Sequence, residues 1–129
     1  MTQTVLLIED NEQNRYLATF LLEKHGHRVT AAFDGPRGIE LAQALAPDLI
    51  LLDIQLPGMD GYAVARALRL VGSLRSTPIV AVTSYAMVGD REKSLEAGCN
   101  GYIEKPINPD TFVAEVEKFI SPEAPPASS

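Results

Sequence analysis

The stretch LLIEDNEQN, Leu6–Asn14, passes from an apolar run to two acids, Glu9 and Asp10, and then to short polar residues. The apolar run reads as a buried strand. Asn11 suits a helix start, because its side-chain oxygen accepts a first-turn backbone N–H. A strand that feeds a helix directly is the opening of a βαβ unit. Paired carboxylates at the end of a buried strand then need a reason. One acid there is an ordinary solvated turn; two, joined by a third at the end of another apolar run, call for a cation.

The same alternation continues along the chain. Strands are expected at Val5–Ile8, in HRVTAAF (His27–Phe33), in DLILL (Asp48–Leu52), at Ile79–Val82 and in GYIEK (Gly101–Lys105). Helices are expected at about Glu12–His25, in PRGIELAQALAP (Pro36–Pro47), at Tyr62–Val71, before Gly98 and after Asn108. Gly26 is a natural stop for the first helix. Leu17, Phe20, Leu21 and Lys24 share its helical spacing. In the second, Ile39, Ala42 and Leu45 form an apolar stripe. Asp60 is placed to cap the third, and Asp90 lies near the start of the fourth. Asn108 is placed to cap the last, with Pro109 at its first position and Phe112, Val113, Val116, Phe119 and Ile120 on one face. The weak alternation of Val29, Ala31 and Phe33 suits an edge strand. Five strands alternating with five helices imply an α/β fold, a mostly parallel sheet covered on both faces through right-handed crossovers. Residues 1–121 form one expected domain. Residues 122–129, rich in Pro and Ser, read as a disordered tail.

The 129 residues fit a single core. Seventeen acids against eleven Lys and Arg give a net charge of −6, which argues against a nucleic-acid footprint. The lone Cys99 excludes an intrachain disulfide and a Cys-rich metal site, and reads as a small buried residue. The apolar runs fall far short of the roughly 20 residues of a membrane span. The N-terminus lacks a signal-peptide pattern. The expected compartment is the cytoplasm. His25 and His27 read as exposed loop or helix-end residues.

In an open parallel sheet, ligands bind beyond the carboxyl ends of the strands. Those ends carry Glu9 and Asp10, Asp53, Thr83 and Ser84, and Glu104 and Lys105. If the first and third strands are neighbours, three carboxylates share one crevice. Crowded like charges repel, and a divalent cation relieves them. Hard oxygen ligands without His or Cys favour Mg²⁺, with Mn²⁺ as a substitute and the Gln55 backbone carbonyl as a further oxygen. Asp53 would then be a nucleophile toward phosphorus. Lys105 would pair with a phosphoryl oxygen, and the Thr83 hydroxyl would donate to the group and move inward. Taken singly, each residue has an ordinary explanation: a solvated loop acid, a strand-end hydroxyl, a surface lysine, a half-buried Tyr102.

LLIEDNEQN, LILLDIQLPGMDG, IVAVTSYA and GYIEKPI, in this order and spacing, resemble the receiver domain of two-component response regulators. The likeness runs from about Thr4 to Ile120, closest to stand-alone DivK-like regulators or hybrid-kinase receivers. It implies a flavodoxin-like (CheY-like) doubly wound sheet of order 2-1-3-4-5. It implies that Asp53 is the phosphoacceptor, that Asp10 binds Mg²⁺ directly and that Glu9 does so through water. Gln55 matches the carbonyl donor, Thr83 the hydroxyl switch with Ser84 beside it, and Lys105 the conserved lysine. Tyr102 matches the aromatic that changes rotamer, and the Lys105–Pro106 bond is implied to be cis. Gln55 and Tyr85 occupy positions that tune phosphate lifetime. A bulky Tyr85 would restrict attacking water, whereas the Gln55 amide would orient it.

The implied donors are a histidine kinase or a histidine phosphotransfer protein, with Tyr16 and Leu17 of the first helix as docking candidates. The implied output is a separate protein partner that reads the face of the fourth helix, fifth strand and fifth helix. Neither nucleic acid nor membrane is an expected partner, and the expected state is a monomer or weak dimer. The protein would catalyse only its own phosphorylation and dephosphorylation. Alternatives are a phosphorylation-independent binding module, a receiver cut from a hybrid kinase, and a small-molecule aspartyl phosphatase. The last is weak because no acid lies two residues after Asp53. Met1, followed almost at once by a strand, favours an independent protein.

Overall fold

A computed structural model describes residues 3–56, 58, 60–84 and 88–120. Pro57 and Met59 of the expected turn, Tyr85 and the expected tail lie outside the described residues. The strands are β1 (Thr4–Ile8), β2 (Arg28–Ala32), β3 (Leu49–Asp53), β4 (Ile79–Thr83) and β5 (Gly101–Glu104). The helices are α1 (Glu12–Lys24), α2 (Gly35–Leu45), α3 (Gly61–Arg69), α4 (Val88–Glu96) and α5 (Phe112–Glu117), with a short 3₁₀ turn at Gly72–Leu74 that the periodicity does not predict. All strand pairs are parallel and the order is β2-β1-β3-β4-β5. This is the doubly wound flavodoxin-like fold, with the weakly alternating β2 at an edge as expected.

The two faces of the sheet follow the strand period of two. Leu6, Ile8, Ile50, Leu52, Ile79 and Ala81 point to a core completed by Ala42 of α2, and by Val64, Ala65 and Leu68 of α3. Val5, Leu7, Leu49, Leu51, Val80 and Val82 point to the other, completed by Ala18, Leu21 and Leu22 of α1 and Phe112, Val113 and Val116 of α5. β3 and β4 are buried at every residue, which explains their unbroken apolar sequences.

Helix ends are set by the residues that supply local partners. Asn11 caps α1 by accepting the Asn14 N–H at 2.9 Å, and Asp60 caps α3 through the Tyr62 N–H at 3.0 Å. Asp34, not singled out in the sequence, caps α2 through the Arg37 N–H at 2.9 Å. Asn108 instead closes a turn before α5, accepting the Asp110 N–H at 2.9 Å, and the helix starts only at Phe112. Two helical stripes are narrower than the spacing predicts: Phe20 and Leu45 are exposed, and Gly35, Gly38 and Ala42 make the buried face of α2. Phe33, expected on one side of the second strand, lies just past β2 and is exposed. Gly38 is there because α2 crosses β1 closely: a Cβ would lie 2.4 Å from Ile8 Cδ1.

Two polar ties brace the end of the sheet away from the strand C-termini. His27 is buried rather than exposed, whereas His25 is exposed as expected, its ring Nδ1 at 3.0 Å from the Leu21 carbonyl. His27 Nδ1 accepts the Gln3 N–H at 3.3 Å, so the ring proton sits on Nε2 and is donated to Glu117 at 2.7 Å. Arg69 donates to the carbonyls of Gly98, Leu74 and Thr77 and to Asn100 Oδ1, at 2.7–2.9 Å. Burial lowers the pKa of its guanidinium, and burial pushes the nearby Cys99 thiol up to about 11, so Cys99 is a packing residue. Among the described residues no helix is long and apolar enough to cross a membrane.

Candidate functional site

The parallel register places the acids. Val5 pairs with Leu49 and Leu7 with Leu51, so one further step of two brings Glu9 opposite Asp53. Both share the side-chain parity of Val5 and Leu7, and both are buried, at 2% and 1% exposure. Asp10 follows at the exposed rim. Carboxylate oxygens of Glu9, Asp10 and Asp53 lie within 4.8 Å of one another. The expected crevice therefore exists, and it brings together all three of the predicted acids.

Lys105 reaches them from the far side. It follows β5, whose Ile103 pairs with Val82, and Val82 pairs in turn with Asp53. Its ammonium lies 3.2 Å from Glu9 Oε1 and 3.3 Å from Asp53 Oδ1, with only 12% of the side chain exposed. It is thus not a surface charge. The Lys105–Pro106 bond is cis. Thr83 is buried at the end of β4, and its carbonyl accepts the Lys105 N–H at 2.8 Å. Ser84 is exposed just beyond it. Tyr102 is half-buried on β5 and packs against the α2–α4 side of the core.

The loop after β3 is held tightly. The Gln55 N–H donates to Asp53 Oδ1 at 2.9 Å, and Gln55 Oε1 accepts the Ser84 N–H at 2.9 Å. Gly61 is a close-approach residue, because a Cβ would lie 2.4 Å from Ile54 Cα. Arg15 is a site residue that the sequence pattern does not flag. Its Nη1 donates to the carbonyls of Glu9 and Asp10 at 3.0 and 2.9 Å, and its guanidinium lies 4.0 Å from the Phe33 ring centroid. The only local hint is its position one turn inside a helix that starts at the acids.

The charges at the site are unevenly matched. Burial raises the Glu9 pKa to about 7, reinforced by a hydrogen bond to Asp53 and by that residue's charge. Lys105 and the Asn11 N–H, which donates to Glu9 Oε2 at 3.2 Å, oppose the rise without cancelling it. One ammonium does not balance the three carboxylates gathered here. A divalent cation fits the same place: the donors are hard oxygens, close together, and their surplus is negative.

The doubly wound parallel sheet thus gathers three acids and a lysine at its C-terminal edge. The family model for the response regulator receiver domain matches residues 5–117, and the chain belongs to that family. It is 39% identical over 120 residues to the polar-differentiation response regulator DivK of Brucella ovis, covering 93% of this chain and 98% of the relative. Among solved structures it resembles the receiver domain of the sensor histidine kinase PA1611 from Pseudomonas aeruginosa, which has a magnesium ion coordinated in its active site cleft. That match has a TM-score of 0.85 and 37% identity over 93% of this chain and 98% of that one. It also resembles the Vibrio cholerae chemotaxis protein CheY4, with a TM-score of 0.88 and 26% identity over 92% and 99%.

Proposed function

We propose that the protein is a phosphorylatable receiver in a two-component relay, with Asp53 as the phosphoacceptor. The observation that carries this reading is the convergence of Lys105 Nζ on Glu9 and Asp53, inside a cluster of three carboxylates. Asp10, Asp53 and the Gln55 backbone carbonyl would hold Mg²⁺, with Glu9 acting mainly through water; Mn²⁺ has the same ligand preferences. When bound, the cation supplies charge neutralisation for attacker and donor.

An Asp53 carboxylate oxygen attacks the phosphorus of a phosphohistidine. The O–P bond forms as the P–N bond breaks, and the departing imidazole keeps the electron pair and takes a proton from solvent. Lys105 stabilises charge on the transferring group as a fixed cation. Thr83, at the end of β4, donates its hydroxyl to the phosphoryl oxygens. Preferential contacts in the phosphorylated state then shift a pre-existing equilibrium.

The output surface is the face of α4, β5 and α5, where Arg91, Leu95, Tyr102 and Phe119 line a shallow cavity. Tyr102 and the cis Pro106 belong to its switching apparatus. Tyr16, 72% exposed and stacked on Phe20, is the docking candidate on α1, while Leu17 packs inward. The partners are a histidine kinase or phosphotransfer protein upstream and a separate effector protein downstream. The likeness to the PA1611 receiver supports a second reading, a receiver that works within a hybrid kinase.

Transfer from labelled phosphohistidine donors tests the assignment. Label should move to the wild-type protein in Mg²⁺ and not to Asp53→Asn. Equal labelling of the variant would overturn it.

A further inference from the structure

The sequence leaves the Gln55 side chain without a decided role, because an amide there could orient water. In the structure its oxygen is already engaged. Gln55 Oε1 accepts the Ser84 N–H, while the Gln55 N–H donates to Asp53 Oδ1. One residue therefore links the Asp53 carboxylate to the first backbone donor after β4. Ser84 follows buried Thr83, whose carbonyl accepts the Lys105 N–H. The contact thus ties the ends of β3 and β4, next to the separate backbone bond that joins Thr83 to Lys105.

We infer that the Gln55 side chain is a strap that holds the Ser84 N–H in the unphosphorylated arrangement, and that a phosphoryl group on Asp53 competes with it for that donor. The competition clause rests on Asp53 being the phosphoacceptor. Asp53 pairs with Val82, two residues before Ser84, so a phosphoryl group on Asp53 brings anionic oxygens to the end of β4, and charge-assisted hydrogen bonds outweigh a bond to a neutral carboxamide. The exchange releases the strap and frees the end of β4 to follow Thr83. Gln55 is then a positioning residue that sets the balance between the resting and phosphorylated arrangements of the β4 end.

Two variants test this. Gln55→Met keeps the length and removes the acceptor. Gln55→Asn keeps an amide but is one methylene too short to span the gap. Both keep the backbone carbonyl proposed as a Mg²⁺ ligand, and beryllofluoride binding is read at saturating Mg²⁺. With no phosphoryl group present, Ser84 amide hydrogen exchange should be faster in both variants than in wild type. With Mg²⁺ and beryllofluoride as the phosphoryl stand-in, both should bind about five-fold more tightly, the worth of one neutral hydrogen bond no longer broken.

Unchanged Ser84 exchange would overturn the strap, as would weaker beryllofluoride binding in the variants. Wild-type-like behaviour of Gln55→Asn alone would overturn it in favour of water orientation. The reading of Asp53 fails separately, and the competition clause with it, if Asp53→Asn binds beryllofluoride as well as wild type does. The exchange measurement still judges the strap in that case, because it needs no phosphoryl group.

Discussion

Raising the pH from about 5 to about 8 without divalent cations should weaken the fold, and Glu9 is the reason. Its pKa is about 7 in the folded protein against an ordinary 4.5. Between those values the folded protein holds a proton that the unfolded chain has lost, so stability falls as pH rises. The stabilisation is full below about pH 4.5 and gone above about 7. The difference corresponds to about 3 kcal/mol, or about 10 °C in Tm for a domain of this size. Mg²⁺ should flatten the decline, because it stabilises the ionised carboxylates and takes over the proton's role, releasing protons as it binds.

Thermal and urea unfolding across this range, in EDTA and in Mg²⁺, would measure the effect. Glu9→Gln supplies the control, since it keeps the steric fit and cannot ionise. The slope of wild type minus the slope of the variant isolates Glu9 from His25, His27 and the other carboxylates. A difference slope in EDTA that is zero or rises with pH would refute the reasoning.

His27→Ala should cost about 1–3 kcal/mol, because it leaves the Gln3 N–H without its ring acceptor and opens a gap beside Glu117. Mg²⁺ affinity, measured by calorimetry, should not change, since this tie lies at the other end of the sheet. Arg69→Met should cost about 1–3 kcal/mol in urea unfolding, because partly buried carbonyls at Leu74, Thr77 and Gly98 lose their donor. Arg69→Lys should recover only part of it, as an ammonium cannot reproduce the planar fork.

Much of this molecule was legible in the sequence because its signals are local. The apolar runs of β3 and β4 could only be strands covered on both sides, and Asn11 and Asp60 announce their helices through side-chain chemistry. The acids at strand ends pointed to a shared crevice once parallel order was assumed. What stayed hidden depends on register and packing. The step that sets Glu9 opposite Asp53 follows from the Val5–Leu49 and Leu7–Leu51 pairs, which composition does not reveal. Phe33 resembles a strand residue but is exposed, serving instead as a platform for Arg15. His27 looked like a loop residue because its partners, Gln3 and Glu117, are 24 and 90 positions away. Asn108 had the right chemistry for a cap but spends it on a turn. The Gln55–Ser84 contact joins two loops, and no periodicity encodes such a meeting.

The most direct check is intact mass of the protein after incubation with acetyl phosphate, with and without Mg²⁺. One added phosphoryl group is expected, present only with the metal, lost in base and absent from Asp53→Asn. A modification that forms equally well in EDTA, or that survives in Asp53→Asn, would contradict the account.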